Sequence, residues 1–411
     1  MARLLDQLFT GTASRRQFLE RLSAAGAGAT LVAGAFPDAV AECRTQVRPP
    51  RDWNQEGVSY SPANIGGGGR VERNFYRDWL KQSQIPVTEG YSIYDAKNQE
   101  VQPWPEIGGR GLYLNFSGNV HMDGVIIEIP EGKALVPQRH CYEQLICVLR
   151  GRGRTTVGEG SNVCELEWGE GALFSVPLNA QHRHFNADAA HPARLLVVTT
   201  FPLMIQMFGS IGMIEDMDFD FEDRYDGSPD YYTRDERIHQ RWWRSNAVWN
   251  MRTSELVTWD ERGRGNASRF WSMAGNTILE PHVSQFPMGT YKLGHRHPYE
   301  AIILTLDGKG FSLAGHEGLA EANEPVKLDW KDGSVVSPPY YWYHQHFNTG
   351  QTKARYFAIT EGDFPKRLGV PLEVQQIEAD QEDPSIRRRF EQELGRTRVG
   401  KTLANPGIVH G

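Results

Sequence analysis

Gly289-x5-His295-Arg296-His297-x3-Ala301-x6-Gly308, followed by Gly333-x5-Pro339-x-Tyr341-x2-His344-x3-Asn348, decides the reading of this chain. The same two-part pattern stands earlier as Gly132-x5-Gln138-Arg139-His140-x3-Gln144-x6-Gly151 and Gly171-x5-Pro177-x-Asn179-x2-His182-x3-Asn186. Seven of the 13 histidines fall inside these four windows, which even scatter would not produce. The chain is therefore two copies of one unit. Only the second copy keeps all the histidines of the pattern, in a His-x-His plus distant His arrangement that suits a metal ion.

Working outward, the flanking texture is that of short strands. Val125–Ile129, Leu145–Leu149, Leu195–Val198, Ala301–Leu304, Ser334–Val336 and Arg355–Ile359 are apolar, β-branched-rich runs. Gly, Pro and Asn punctuate them at short intervals, as in an all-β barrel or sandwich. The step from His140 to His182 is 42 residues and that from His297 to His344 is 47. The extra length in the second copy is expected in a loop around Glu317 to Glu324. On strands, residues two apart face one side, so His295 and His297 point together and His344 joins them from another strand. Three imidazoles with no fourth protein ligand leave coordination positions open, as in catalytic metal sites.

The pattern resembles the signature of the cupin superfamily, Gly-x5-His-x-His-x3-Glu-x6-Gly and Gly-x5-Pro-x-Gly-x2-His-x3-Asn. The resemblance implies an all-β fold of two tandem cupin barrels (double-stranded β-helix, jelly-roll) with short helical connectors. The sequence departs from it at the carboxylate position, which holds Ala301, with Glu300 one residue earlier. Within the superfamily, His295-Arg296-His297-x3-Ala301 and Pro338-Pro339-x2-Trp342-x-His344-x-His346-x-Asn348 are similar to the gentisate and hydroxynaphthoate ring-cleaving dioxygenases. This implies a three-His Fe(II) centre made by His295, His297 and His344. Those enzymes have one residue fewer between Trp and His, carry their site in the N-terminal barrel, and are cytoplasmic. Mn, Ni, Cu or Zn would also suit the donors. His346 and Glu300 are the candidate catalytic residues, for moving protons or orienting the ligands. In the first copy His140, Gln144 and His182 form a weaker second set, because Gln138 replaces the first histidine.

The expected function is that of an exported metal-dependent bicupin, a mononuclear non-haem Fe(II) dioxygenase acting on a small oxygenated, in one form aromatic, acid. A non-oxidative isomerase or lyase and a non-catalytic metal- or ligand-binding protein remain the alternatives. At 411 residues, 39 % hydrophobic and 23 % charged, the chain has room for two or three domains with a large core. A formal charge of −7 argues against nucleic acid and anionic membrane as partners. A small-molecule substrate is expected, and a homo-oligomer is left open.

The expected organisation is a signal peptide over 1–41, an irregular arm over 42–86, and a first barrel over 87–205. An acidic, aromatic connector follows over 206–265, then the complete-site barrel over 266–370, and a helix and tail over 371–411. The tail helix starts at Asp383-Pro384-Ser385, with Ile386, Phe390 and Leu394 on one face and Gly395 as its stop. Cys147 and Cys164 read as buried small hydrophobes, Cys141 as packing or a thiol ligand, and the pairing of these with Cys43 is not legible.

Ser14-Arg15-Arg16-Gln17-Phe18-Leu19, the Ala/Gly-rich stretch to Phe36 and Ala39-Val40-Ala41 resemble a twin-arginine export signal. The resemblance implies handling by the twin-arginine export machinery, a periplasmic or otherwise exported location, and no stable membrane anchor after cleavage. An Arg15→Lys, Arg16→Lys double variant is expected to stay in the cytoplasm at precursor length on fractionation. Normal export of that variant would remove the assignment.

Overall fold

The computed structural model describes residues 58–61 and 70–397. The chain divides into two compact units, residues 1–74 and 75–411. In the first, Val58–Ser61 pairs antiparallel with Arg70–Arg73, so the arm expected to be irregular contains a hairpin. The signal-peptide residues and Cys43 lie outside the described residues.

The second unit holds both copies of the motif, each as a jelly roll of one large and one small sheet facing each other. In the first barrel the large sheet runs Leu173–Val176, Gln144–Arg150, Ala193–Thr199, Asp123–Ile129, Gly109–Leu114. Its small sheet is Cys164–Gly169, Arg152–Val157 and His182–Asn186. The second barrel repeats this with Ala267–Ser272, Glu280–Phe286, Ala354–Thr360, Ala301–Asp307 and Val335–Val336. Its small sheet has Val326–Lys331, Lys309–Gly315, Tyr343–Asn348 and His295–Arg296, with Gln375–Gln376 added at the edge. The second copy's extra residues lie between Gly315 and Val326, as expected, and include a 3-10 turn at Glu321–Asn323.

The apolar runs are continuous because their strands are buried on both faces. Asp123–Ile129, Ala193–Thr199 and Ala354–Thr360 are buried at every residue. Within one strand, Ile146 and Val148 turn into the first barrel, while Leu145, Cys147 and Leu149 join a second core. That second core also contains Val283, Ile302, Leu304, Leu306, Phe357 and Ile359 of the other barrel, so the two large sheets pack against each other.

Two reciprocal exchanges tie the barrels together, one of strands and one of glutamate clamps. Ser92–Ile93, ahead of the first barrel, pairs with Val335–Val336 of the second. Ala247–Val248, ahead of the second, pairs with Leu173–Phe174 of the first. Glu143 accepts hydrogen bonds from the backbone N–H groups of Thr277, Ile278 and Leu279 at 2.6, 2.9 and 2.9 Å. Glu300, its equivalent, accepts from Val120 at 2.7 Å, Met122 at 2.9 Å and His121 between them. The 206–265 stretch is thus more than a connector. Its acidic part ion-pairs locally, as in Asp226 and Asp230 with Arg234, but Trp242–Ser245 adds a parallel strand to the second barrel.

The motif turn places Asn179 and Tyr341 at φ +58°, the left-handed region that explains why the superfamily pattern has Gly there. Arg296 stacks over Tyr341, 4.3 Å from the ring centroid. The tail helix spans Pro384–Thr397, capped by Asp383 Oδ1 accepting from Ser385 N at 2.8 Å. It runs through Gly395 instead of stopping there, and Thr397 Oγ1 donates to the Glu393 carbonyl within the last turn. Ile386, Phe390 and Leu394 bury against Tyr291, Phe311, Leu313 and Phe347 of the second barrel. Cys141, Cys147 and Cys164 are buried and not joined to one another.

Candidate metal centre

His295 and His344 are direct antiparallel partners, and His297 follows on the strand side that faces them. One ligand atom from each of the three lies within 4.8 Å of the others. Ring centroids are 4.2 Å apart for His295 and His344, and 4.8 Å for His297 and His344. Burial holds all three pKa values below the ordinary histidine range, that of His344 at about 4, so the rings are neutral at pH 7. Backbone carbonyls fix two of them. His297 Nδ1 donates to Tyr299 O at 2.9 Å and His344 Nδ1 donates to Trp342 O at 3.0 Å. The lone pair of each is thereby set on Nε2, as a metal ligand needs. His295 differs, sharing Nδ1 with the guanidinium Nη2 of Arg262 at 2.8 Å. A neutral three-imidazole donor set of this kind fits a divalent transition metal.

Ala301 is buried and opens the strand beside the three rings. Its equivalent in the first barrel, Gln144, places its amide Nε2 3.1 Å from His182 Nε2. The methyl of Ala301 cannot fill that space against His344. The first barrel does bring His140, Gln144 and His182 together, with the two rings 5.1 Å apart and both His140 nitrogens lacking a hydrogen-bond partner. Gln138 meets His182 only through the backbone, at 2.8 Å in each direction.

The two candidate catalytic residues fall in different places. His346 is buried, with Nδ1 2.7 Å from Ser312 Oγ, which also accepts from Trp330 Nε1 at 3.1 Å. The first barrel repeats this group as His184, Thr155 and Trp168, at 2.8 and 2.9 Å. A feature present in both barrels supports the barrel wall at least as much as chemistry. Glu300 turns away to its backbone clamp and clusters with His121 and Glu361 instead of the three histidines.

Sequence reasoning missed four residues that set the character of this interior. Lys292 is 2 % exposed and donates to Tyr356 Oη at 2.7 Å. Arg262, half-buried, reaches His295 and Gln376. Neither makes an ion pair with a carboxylate among the described residues. Burial pulls the Lys292 ammonium well below its usual pKa, and burial, with the charges of Lys292 and Arg262 beside it, lowers that of His282 to about 3. Backbone bonds fix the equivalents in the first barrel. Lys292 N bonds His346 O as Leu135 N bonds His184 O, and Leu293 N bonds Arg262 O as Val136 N bonds Ile107 O. His282 and Tyr356 correspond in register to Val125 and Leu195. The first barrel's interior is thus apolar where the second carries Lys292, Arg262, His282 and Tyr356. Comparing the copies could have found Lys292, which stands three after Gly289 as Leu135 stands three after Gly132. Arg262 lies in the connector and carried no signal.

Residues 125–199 match the family model described as Cupin domain. Among solved structures, the chain is similar to salicylate 1,2-dioxygenase from Pseudoaminobacter salicylatoxidans, in its adducts with gentisate. The identity is 15 % over 68 % of this chain and 80 % of that one, with a TM-score of 0.49. It is also similar to Bacillus subtilis oxalate decarboxylase, at 12 % identity over 85 % of this chain and 98 % of that one, with a TM-score of 0.47. The fold is a tandem pair of cupin jelly rolls.

A buried lysine without a counter-ion destabilises a fold, whether it keeps its charge out of water or gives up its proton. Lys292→Leu, which copies the first barrel, is therefore expected to raise the urea midpoint of the metal-free protein, by roughly 1–3 kcal/mol in unfolding free energy. A lowered midpoint would show that Lys292 is compensated in the fold and is not held for a ligand.

Proposed function

We propose that this protein is an exported, metal-dependent bicupin whose second barrel acts as a mononuclear non-haem Fe(II) dioxygenase on a small oxygenated carboxylic acid. One observation carries the reading. Three neutral imidazoles share an interior with Lys292 and Arg262, basic groups without carboxylate partners that an anion would hold in their charged forms, and the twin barrel has apolar residues in the places of both. Such an interior attracts an anion, and the nearest use for one is substrate beside the metal.

His295, His297 and His344 would hold the ion, with Nε2 of His297 and His344 aimed by the carbonyls of Tyr299 and Trp342. The ion would supply the Lewis-acid and redox chemistry that coupling dioxygen to an organic acid requires. Lys292 Nζ and the Arg262 guanidinium would take the substrate carboxylate and fix its orientation. As Arg262 turned to that carboxylate it would release His295 Nδ1. His346 keeps Nδ1 on Ser312, leaving Nε2 as the group to accept or return a substrate proton. The twin-arginine-like segment supports export, which would deliver the protein folded around its metal.

The test uses Ala301, which stands where the superfamily has a carboxylate ligand. Fe(II)-loaded protein is expected to consume oxygen with one member of a panel of phenolic and hydroxy acids. Ala301→Glu is expected to keep the metal but lower that oxygen uptake at least tenfold, because the added carboxylate occupies an open position. Turnover at the same rate with and without oxygen would replace the dioxygenase reading by that of an isomerase or lyase. Metal and acid binding without any turnover would leave a ligand-binding protein.

A further inference from the structure

The Glu300 clamp and the Glu143 clamp are copies, yet only one is surrounded by metal-ligating groups. At the first, Glu143 N donates to Thr200 Oγ1 at 3.0 Å, the clamped turn carries Ile278 at its centre, and Arg224 stands 3.8 Å from the carboxylate. At the second, Glu300 N donates to Glu361 Oε2 at 2.7 Å, and the clamped turn carries His121 at its centre. Glu361 replaces Thr200, His121 replaces Ile278, and no Lys or Arg among the described residues pairs with either carboxylate. Two buried carboxylates thus meet with only one imidazole to offset them.

The contact between His121 and Glu361 is unusual. His121 Nδ1 lies 2.7 Å from Glu361 Oε1, yet neither atom has a partner in hydrogen-bond geometry. The Glu361 side chain is fully buried. The 2.7 Å separation is that of an ion pair with a protonated imidazole, and with Nδ1 deprotonated it is also the spacing of neighbouring ligands on one cation, for ligand distances of about 2.0–2.2 Å. A ligand atom of Glu300 completes a set lying within 4.8 Å of one another. Burial and the nearby Glu361 raise the Glu300 pKa to about 7, the mark of negative charge with too little to balance it. A surface cavity of about 270 Å³ is lined in part by Glu361, Glu280 and Asp363.

We propose that His121, Glu300 and Glu361 form a second cation site at the seam between the barrels, which takes a divalent ion of the Mn²⁺ or Zn²⁺ class. One imidazole and two carboxylates suit such ions. The ion would fasten the 120–122 turn of the first barrel to the second, a structural role separate from the three-histidine centre.

The test removes that centre first. His297→Ala protein is expected to bind one further Mn²⁺ per chain by titration followed by electron paramagnetic resonance, with Zn²⁺ competing, and to rise in thermal midpoint with added Mn²⁺. Adding Glu361→Thr or His121→Ile, each borrowed from the equivalent clamp so that the fold is kept, is expected to weaken that binding at least tenfold. Adding His140→Ala is expected to leave it unchanged. Absence of Mn²⁺ and Zn²⁺ binding in the His297→Ala protein overturns the proposal. So does binding that survives Glu361→Thr, or that is lost only with His140→Ala. If the thermal midpoint ignores Mn²⁺ but falls as pH rises past the ordinary histidine range, protonated His121 does the neutralising. Its raised pKa contributes stability below that range and loses it above. Every one of these outcomes can occur with the three-histidine reading intact, since that centre is already disabled.

Discussion

The pair of barrels depends on large sheets whose central strands have no solvent face. Each gives one face to its own barrel and the other to its twin, through a core that joins Leu145, Cys147 and Leu149 to Ile302, Leu304 and Phe357. Burial of this apolar surface, at roughly 25 cal/mol per Å², is the main stabilising term available to the pair. It does not pass through the barrel interiors. The interior of one barrel was therefore free to become polar while the fold kept its support, and the exchanged strands and paired glutamate clamps hold the arrangement in register.

The duplication gives every unusual residue an internal control. Where both copies agree, as for His184 and His346 on Thr155 and Ser312, the feature belongs to the barrel. The stacking of His140 on Tyr142 and of His297 on Tyr299 is another shared feature. Where the copies differ, the difference falls into two patches. One surrounds the three histidines, with Lys292 for Leu135, Arg262 for Ile107 and Ala301 for Gln144. The other surrounds the Glu300 clamp, with Glu361 for Thr200 and His121 for Ile278. A buried charge is expensive wherever it stands, and the two patches, one inside the second barrel and one at the seam, motivate the two ligands proposed.

The fold was legible because motif spacing and strand periodicity are local. The three histidines were legible because residues two apart on a strand share a face. Glu300 faces away from the three histidines for a related reason. One residue before the ligand position, the strand points its side chain to the opposite side, and there the turn around His121 was waiting from 180 residues away. That approach, like those of Arg262 and Glu361, is set by long-range packing, which no spacing rule reaches. The continuation of the last helix through Gly395 is a smaller case. The docked stripe of Ile386, Phe390 and Leu394 outweighs the weak helix preference of one glycine.

We propose that a single centre of three imidazoles, with no protein carboxylate, holds the metal in the second barrel. X-ray absorption on protein loaded with less than one equivalent of Fe(II) tests it most directly, since the ligand count is read without knowing the substrate. Scattering from three imidazoles is expected, falling to two in the His295→Ala protein. One or two imidazoles in the unaltered protein, or a spectrum indifferent to His295→Ala, would contradict it.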